Sequence, residues 1–575
     1  MSNDAGNYFL RTDQFGLVAG TCNYFDIVNF ADKRLQKNSN NQTGMSNGML
    51  LMCMIINALG FAAKPLYLFS NFFDGVDTQV LFGDNFDISK VNDDSLGRML
   101  DALYEYGIEK FYLEFGNHAM ERLGYKPEFI HLDSTSFHLH GDKYNNEEPV
   151  RISITGKTET NKKEPVKMVQ GYSRDAHPEL PQVMMQMIVE NQAGIPLFMK
   201  PQNGNTNDSD GFAKSLNEVE SLLTSLKKGV KSPYLVCDAA LYTADNLKDI
   251  YASRENRIKF ITRAPSKIKE VEGMIKRANA DGFEMIRDQY SGRMYDFSYA
   301  DVPQKILVVK SDAALEREGK TIDRRADKEL KSFEAELKKL ERKKFSCSPD
   351  ARKALQEIEK KHSRYSVLNG EPEIIEEKHF SKPGRRKKDA EPDSIVYRIK
   401  AEAKLNNEAV EREKKEAGCF VIATNDTQRN WTMEELLDGY KSQQRVERGF
   451  RFLKDPEFFA DSIFLKTPER IEALLMVMVT TLFVYSATEY LLRKNLKEKK
   501  MTVSHQTGKP ISNPTMRWIL MIFDMKATGR FFADGKLVGC SNLTKDQQTV
   551  VEALGDAWTN IYRCFLKKND VDLQV

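Results

Sequence analysis

Through the N-terminal part of the chain, apolar residues return every third or fourth position. MLLMCMIINAL (49–59) follows the lead-in Gly44-Met45-Ser46-Asn47, and DDSLGRMLDALYEYGIEKFYLEFGNHAMERLGY (93–125) keeps helical spacing throughout. Residues 1–125 are therefore predicted to be a separate α-helical domain. From about residue 127 the apolar residues instead gather in short runs of strand length: EFIHLD (128–133), QVMMQMIVE (182–190), IPLFMK (195–200), YLVCD (234–238) and KFITR (259–263). The second and third runs are joined through a glycine-containing turn, ENQAG. Before the fourth comes a helical stripe of Phe212, Leu216, Val219, Leu222, Leu223 and Leu226. Strands in this order, with a helix between them, predict an α/β core over residues 126–263: a mixed sheet flanked by helices.

After Ala264 the composition shifts. RMYDFSYADVPQKILVVK (293–310) reads as further strands and leads into a densely charged tract, 311–370. Within it Leu330, Phe333, Leu337 and Leu340 recur at helical spacing, and Leu355 and Ile358 follow the breaker SCSPD (346–350). This predicts a helical hairpin, which could be a solvated structural element, pair with a second copy or touch nucleic acid. KPGRRKK (382–388) is a basic cluster suited to an ordinary surface loop or to phosphate contact. Residues 264–430 thus form a large segment of strands and charged helices. A strand, CFVIATN (419–425), then precedes a long helix predicted from Met433 through Lys454. The uncharged run ALLMVMVTTLFVYSAT (473–488) falls short of the roughly 20 apolar residues that a membrane span needs. Diluted by Thr480, Thr481 and Ser486, it reads as a buried core helix. Residues 431–495 would complete the core, and residues 496–575 read as helical and loop-rich.

Composition adds little. Lys plus Arg number 85 against 83 Asp plus Glu, so the net charge of +2 announces no polyanionic partner, and any such surface must come from local segregation of charge. The 7 cysteines include no CxxC pair, which suits free thiols in a reducing, cytosolic compartment. No basic start followed by an apolar core marks a secretory signal at the N-terminus.

The candidate chemistry lies in acids at element ends. Asp133 closes the strand-like IHLD and is followed by the small residues Ser134-Thr135-Ser136, while Asp238 closes YLVCD before Ala239-Ala240. Ends of strands are rigid supports beside open loops, so both could be site carboxylates; either could also be an ordinary turn former. In the helix predicted over Met433–Lys454, Tyr440, Gln443, Glu447, Arg451 and Lys454 project within a sector of about 80°, at about 100° per residue. An acid flanked by a phenol, an amide and two cations suits a site, although a solvated face would look similar. His131, His138 and His140 lie near Asp133, where strand or loop histidines with satisfied hydrogen bonds are the simplest reading and a zinc site the alternative.

This arrangement resembles the DDE transposases of bacterial insertion sequences, in particular the group with a Tyr-(2)-Arg-(3)-Glu-(6)-Lys signature. Tyr440, Glu447 and Lys454 match that signature, and Gln443 stands where the family has Arg. Asp133 in FIHLDSTS and Asp238 in LVCDAALYTADNL match the two family aspartates. The resemblance extends to LGFAAKPLYLF (59–69), GYSRDAHPELPQ (171–182) and GIPLFMKPQNGNTNDSDGF (194–212).

The resemblance implies a ribonuclease-H-like core interrupted by a β-rich insertion at 264–430, with the N-terminal domain recognising DNA ends. It further implies two Mg²⁺ ions, replaceable by Mn²⁺, held by catalytic Asp133, Asp238 and Glu447. Those ions would serve cleavage at the element's ends and strand transfer into target DNA. Tyr440 and Lys454 would contact terminal phosphates, with Arg445, Arg448 or Arg451 supplying the cation that Gln443 lacks. Trp431 would stack on a flipped base, or else serve as a core aromatic. The expected partners are terminal inverted repeats, target DNA and a second copy of the chain, in the bacterial cytoplasm at the nucleoid and away from membrane. A metal-dependent nuclease without strand transfer, or a DNA-binding relative without activity, are the alternative readings.

Overall fold

The computed structural model describes residues 6–35, 45–59, 69–124, 126–139, 164–172, 177–206, 233–252, 258–380, 391–442, 444–455 and 467–566. They form two compact units: Met1–Thr262 with Asp438–Val575, and Arg263–Leu437. The stripe expected at 212–226, the basic cluster 382–388, Gln443, His140 and most of LGFAAKPLYLF lie outside the described residues.

In the first unit, β1 (Tyr8–Arg11) belongs to a small sheet, and β2 (Phe129–His138), β3 (Gln182–Glu190), β4 (Pro196–Asn203), β5 (Tyr234–Cys237) and β6 (Phe260–Ala264) build the main one. The main strands run in the order β4, β3, β2, β5, β6. β2, β3 and β4 are antiparallel, whereas β5 runs parallel to β2 and β6 parallel to β5. All nine residues of β3 are buried. A strand covered on both faces needs a continuous apolar run rather than alternation, as QVMMQMIVE provides. The strand ends on Glu190, fully buried, which accepts the amides of Gln192 and Ala193 at 2.6 Å and of Ile195 at 3.1 Å. Those three bonds offset the cost of a buried carboxylate and shape the turn into β4.

Against this sheet lies the helix Pro468–Glu498, the one described helix long and apolar enough to cross a membrane. Its most apolar window is 83% buried inside the protein. The hydroxyls of Thr480, Thr481 and Thr488 donate to the carbonyls of Met476, Val477 and Val484 at 2.9, 2.9 and 2.6 Å, so these three threonines are satisfied within the helix.

The N-terminal helices are not the separate domain that their periodicity predicts. Tyr112, on the helix Ile108–Leu123, places its hydroxyl 3.3 Å from the Pro196 carbonyl of β4 and 3.4 Å from that of Val479 in the long helix. Arg470 grips Asp101 of the helix Asp93–Tyr106 through two bonds of 2.8 Å. The C-terminal region also departs from a purely helical reading: β1 pairs with Gly529–Ala533, which pairs with Lys536–Cys540. Trp558 donates its indole N–H to Leu17 O at 2.9 Å, seated against Gly20 of the helix Phe15–Tyr24. The two ends of the chain meet across hundreds of residues, which no local pattern can announce.

The second unit carries β7 (Glu284–Arg287), β8 (Tyr290–Tyr299) and β9 (Val302–Ser311) in an antiparallel array with Cys419–Thr424. The charged tract forms the helices Asp312–Glu341 and Ser348–Lys361. Phe333, Leu337, Leu340 and Leu355 are buried together with Ile399, so the expected hairpin packs within the chain and supplies this unit with its own small core.

Candidate active site

β2 and β5 are parallel, with Leu132 opposite Cys237. Asp133 and Asp238 each follow that pair, and the backbone at Asp238 is still extended (φ −73°, ψ −174°). The two carboxylates therefore leave the sheet side by side on one face. Both residues are half-buried. Asp133 accepts the Ser134 amide at 2.8 Å, and Asp238 accepts that of Ala240 at 2.9 Å, starting the short turn Ala239–Leu241. On β6 the Thr262 hydroxyl donates to the Asp238 carbonyl at 2.7 Å. The thiol of the intervening Cys237 is pushed well above its ordinary range, first by burial and then by the charges of Asp238 and Asp133.

The third acid belongs to a helix, and here the prediction needs correcting. The single helix expected from Met433 to Lys454 is two helices, Met433–Lys441 and Gln444–Leu453. At the break the Ser442 hydroxyl donates to Gly439 O at 2.7 Å and lies 2.9 Å from His131 Nε2. Tyr440 and Glu447 consequently stand on different helices.

Contacts along β2 position both helices. Alternate residues of a strand share a face, so Phe129, His131, Asp133 and Phe137 project together. Gly439 lies so near the Phe129 ring that an added Cβ would stand 3.1 Å from it, and Ser442 meets His131. A Cβ on Gly449 would stand 3.5 Å from the methyl of Met187, the residue opposite Asp133 on β3, and the Lys454 ammonium lies 6.0 Å from the Phe137 ring. The helices thus follow β2 over the face that carries Asp133, with Glu447 in the first turn of the second helix.

Gly449, Phe450, Phe452 and Leu453 of that helix are buried, while Glu447, Arg448 and Arg451 are exposed and Tyr440 and Lys454 half-buried. An apolar side holds the helix down and a charged side is left to solvent. Among the described residues, no group of three or more His, Cys, Asp or Glu side chains is close enough to hold a metal ion. The Asp133–Asp238 pair fits a hard divalent cation, offering oxygen ligands on rigid strands and a mutual repulsion that a cation would relieve. Glu447 shares their face without closing a three-carboxylate set.

Of the histidines, His131 is buried against Ser442, whereas His138 sits at the far end of β2, its ring 5.6 Å from that of His177. Trp431 does not offer a stacking surface. It is 5% exposed, donates its indole N–H to Asp426 O at 3.1 Å and is covered by the Arg429 guanidinium 4.0 Å from its ring, which makes it an anchor of the second unit.

A family model described as a transposase DDE domain matches residues 124–484. The chain belongs to the transposase DDE-domain family. Ahead of that domain, residues 9–116 match a domain of unknown function, DUF4277. No curated protein sequence matches the chain. Among solved structures, a cryo-EM structure of a piggyBac transposase synaptic complex with hairpin DNA aligns over 90% of this chain and 82% of that one, at 9% identity. Its TM-score of 0.38 is too low to support an inference about this DDE-family chain.

The contact of Ser442 with His131 is not legible in the sequence. Its only local sign is a small hydroxyl residue late in a helical pattern, where such side chains compete for backbone carbonyls.

Proposed function

We propose that this DDE-family chain is an insertion-sequence transposase that cleaves DNA at the element's ends and joins the freed 3′-hydroxyl to target DNA. The observation that carries the reading is the register setting Asp133 beside Asp238, with the Glu447 helix laid over the same face. The strand order β4, β3, β2, β5, β6, with β2, β5 and β6 parallel, supports a ribonuclease-H-like core. Tyr440, Glu447 and Lys454 support membership of the Tyr-Arg-Glu-Lys subgroup, with Gln443 in the arginine position.

Asp133, Asp238 and Glu447 would hold Mg²⁺, or Mn²⁺ in its place. Two such ions when bound activate the attacking oxygen and stabilise the leaving one. The rigid strands hold the first two carboxylates side by side, and Glu447, in the first turn of the helix laid over the same face, would supply the third. Tyr440 and Lys454, flanking Glu447 along β2, would position terminal phosphates. The exposed Arg448 and Arg451 offer the cations that Gln443 does not. The partners in this reading are paired inverted-repeat ends, target DNA and a second copy of the chain, in the bacterial cytoplasm.

Labelled duplexes carrying the inverted repeats that flank the gene test it. Mg²⁺-dependent cleavage followed by joining of the labelled end to a plasmid is expected. Cleavage without joining would make the protein a nuclease, and end binding without cleavage an inactive relative.

A further inference from the structure

The break between the two helices lies over β2, and at it a side-chain contact reaches the strand two residues from Asp133. Ser442 has a single hydroxyl proton, directed at the Gly439 carbonyl 2.7 Å away, and a carbonyl can only accept. The 2.9 Å contact between Ser442 Oγ and His131 Nε2 must then run the other way, with the imidazole Nε2–H donating. This assigns the tautomer of a fully buried histidine two residues before Asp133 and ties it to the residue five before Glu447.

The apolar side of the second helix seats it on the sheet, and the contact between His131 and Ser442 adds a directional bond beside its start. Gly449 is a close approach of that helix to Leu482 and to Met187 of β3, and glycine offers no side chain to lock a position. We infer that Ser442 and His131 are positioning residues for the third carboxylate: their hydrogen bond sets where the helix Gln444–Leu453 begins, and so where Glu447 stands relative to Asp133 and Asp238. The inference rests on the metal-site reading above. It adds that the site's affinity for a divalent ion is governed by a contact with no ligand in it, as outer-shell hydrogen bonds govern metal sites generally.

The test is Mn²⁺ binding to the full chain, read from the electron paramagnetic resonance of the free ion, alongside thermal unfolding. Ser442→Ala is expected to weaken Mn²⁺ binding about tenfold or more, the usual cost of losing an outer-shell partner, with the unfolding temperature nearly unchanged. Ser442→Thr keeps the hydroxyl and should restore affinity. His131→Gln keeps a donor near the Nε2 position and should bind better than His131→Leu. Wild-type affinity in Ser442→Ala, or equal affinities in the two His131 variants, would overturn the positioning role. Asp133→Ala and Asp238→Ala separate the two levels. If they abolish Mn²⁺ binding while Ser442→Ala does not alter it, the positioning role alone falls; if they bind Mn²⁺ as wild type does, the metal site falls and the inference with it.

Discussion

Asp133 and Asp238 stand on neighbouring parallel strands, each one residue beyond the pair formed by Leu132 and Cys237. Two carboxylates side by side repel each other, and a bound cation would relieve that repulsion. Asp133→Asn and Asp238→Asn should therefore leave the unfolding temperature without metal unchanged or higher, and abolish its rise with Mg²⁺. End cleavage should fall about a thousandfold or more, since each 1.36 kcal/mol of lost transition-state stabilisation is tenfold in rate. Differential scanning fluorimetry with and without Mg²⁺, beside a cleavage assay, checks both halves.

Gly20 is a packing requirement. A Cβ there would lie 2.4 Å from the Trp558 ring, whose indole is fixed by its bond to Leu17 O. Gly20→Ala should destabilise the first unit by about 1–3 kcal/mol through overpacking, seen as a lowered thermal transition that includes the C-terminal helices.

The two-residue turn between β8 and β9 places Ala300 at φ 53° and Asp301 at φ 63°. Such a turn suits Asn or Gly, and an alanine held in the left-handed region costs about 1–2 kcal/mol. Ala300→Asn should recover part of that cost, raising the protease resistance of the second unit without affecting Mn²⁺ binding.

Asp13 is fully buried and accepts the Thr528 amide at 2.6 Å. Burial raises its pKa above 3.8, against the opposing pull of the Thr528 amide and Arg11. The folded state thus holds this proton more tightly than the unfolded chain. The resulting stability is complete below the unfolded value and is lost as pH rises through the folded one. Relative to Asp13→Asn, the wild type should gain stability as pH falls toward 3.8; denaturation of both across that range would reveal the trend, and a wild type that gains on Asp13→Asn as pH rises would refute it.

What the chain determined by itself is local. The runs EFIHLD, QVMMQMIVE and YLVCD are strands because short, continuous apolar segments suit a sheet covered on both faces, and Phe333, Leu337 and Leu340 share a buried helix side because their spacing puts them there. Residue types and spacing made the three acids candidates, and their resemblance to the transposase pattern named them as a set. Tertiary structure decided the rest. The Leu132–Cys237 register put two of those acids side by side, and a bond between His131 and Ser442, 311 residues apart, accompanies a break where periodicity continues a helix. Trp558 and Tyr112 drew the chain's ends and its N-terminal helices onto one core. Periodicity records which side of an element must be covered; which distant partner covers it depends on shape and on hydrogen bonds that exist only once the segments have met.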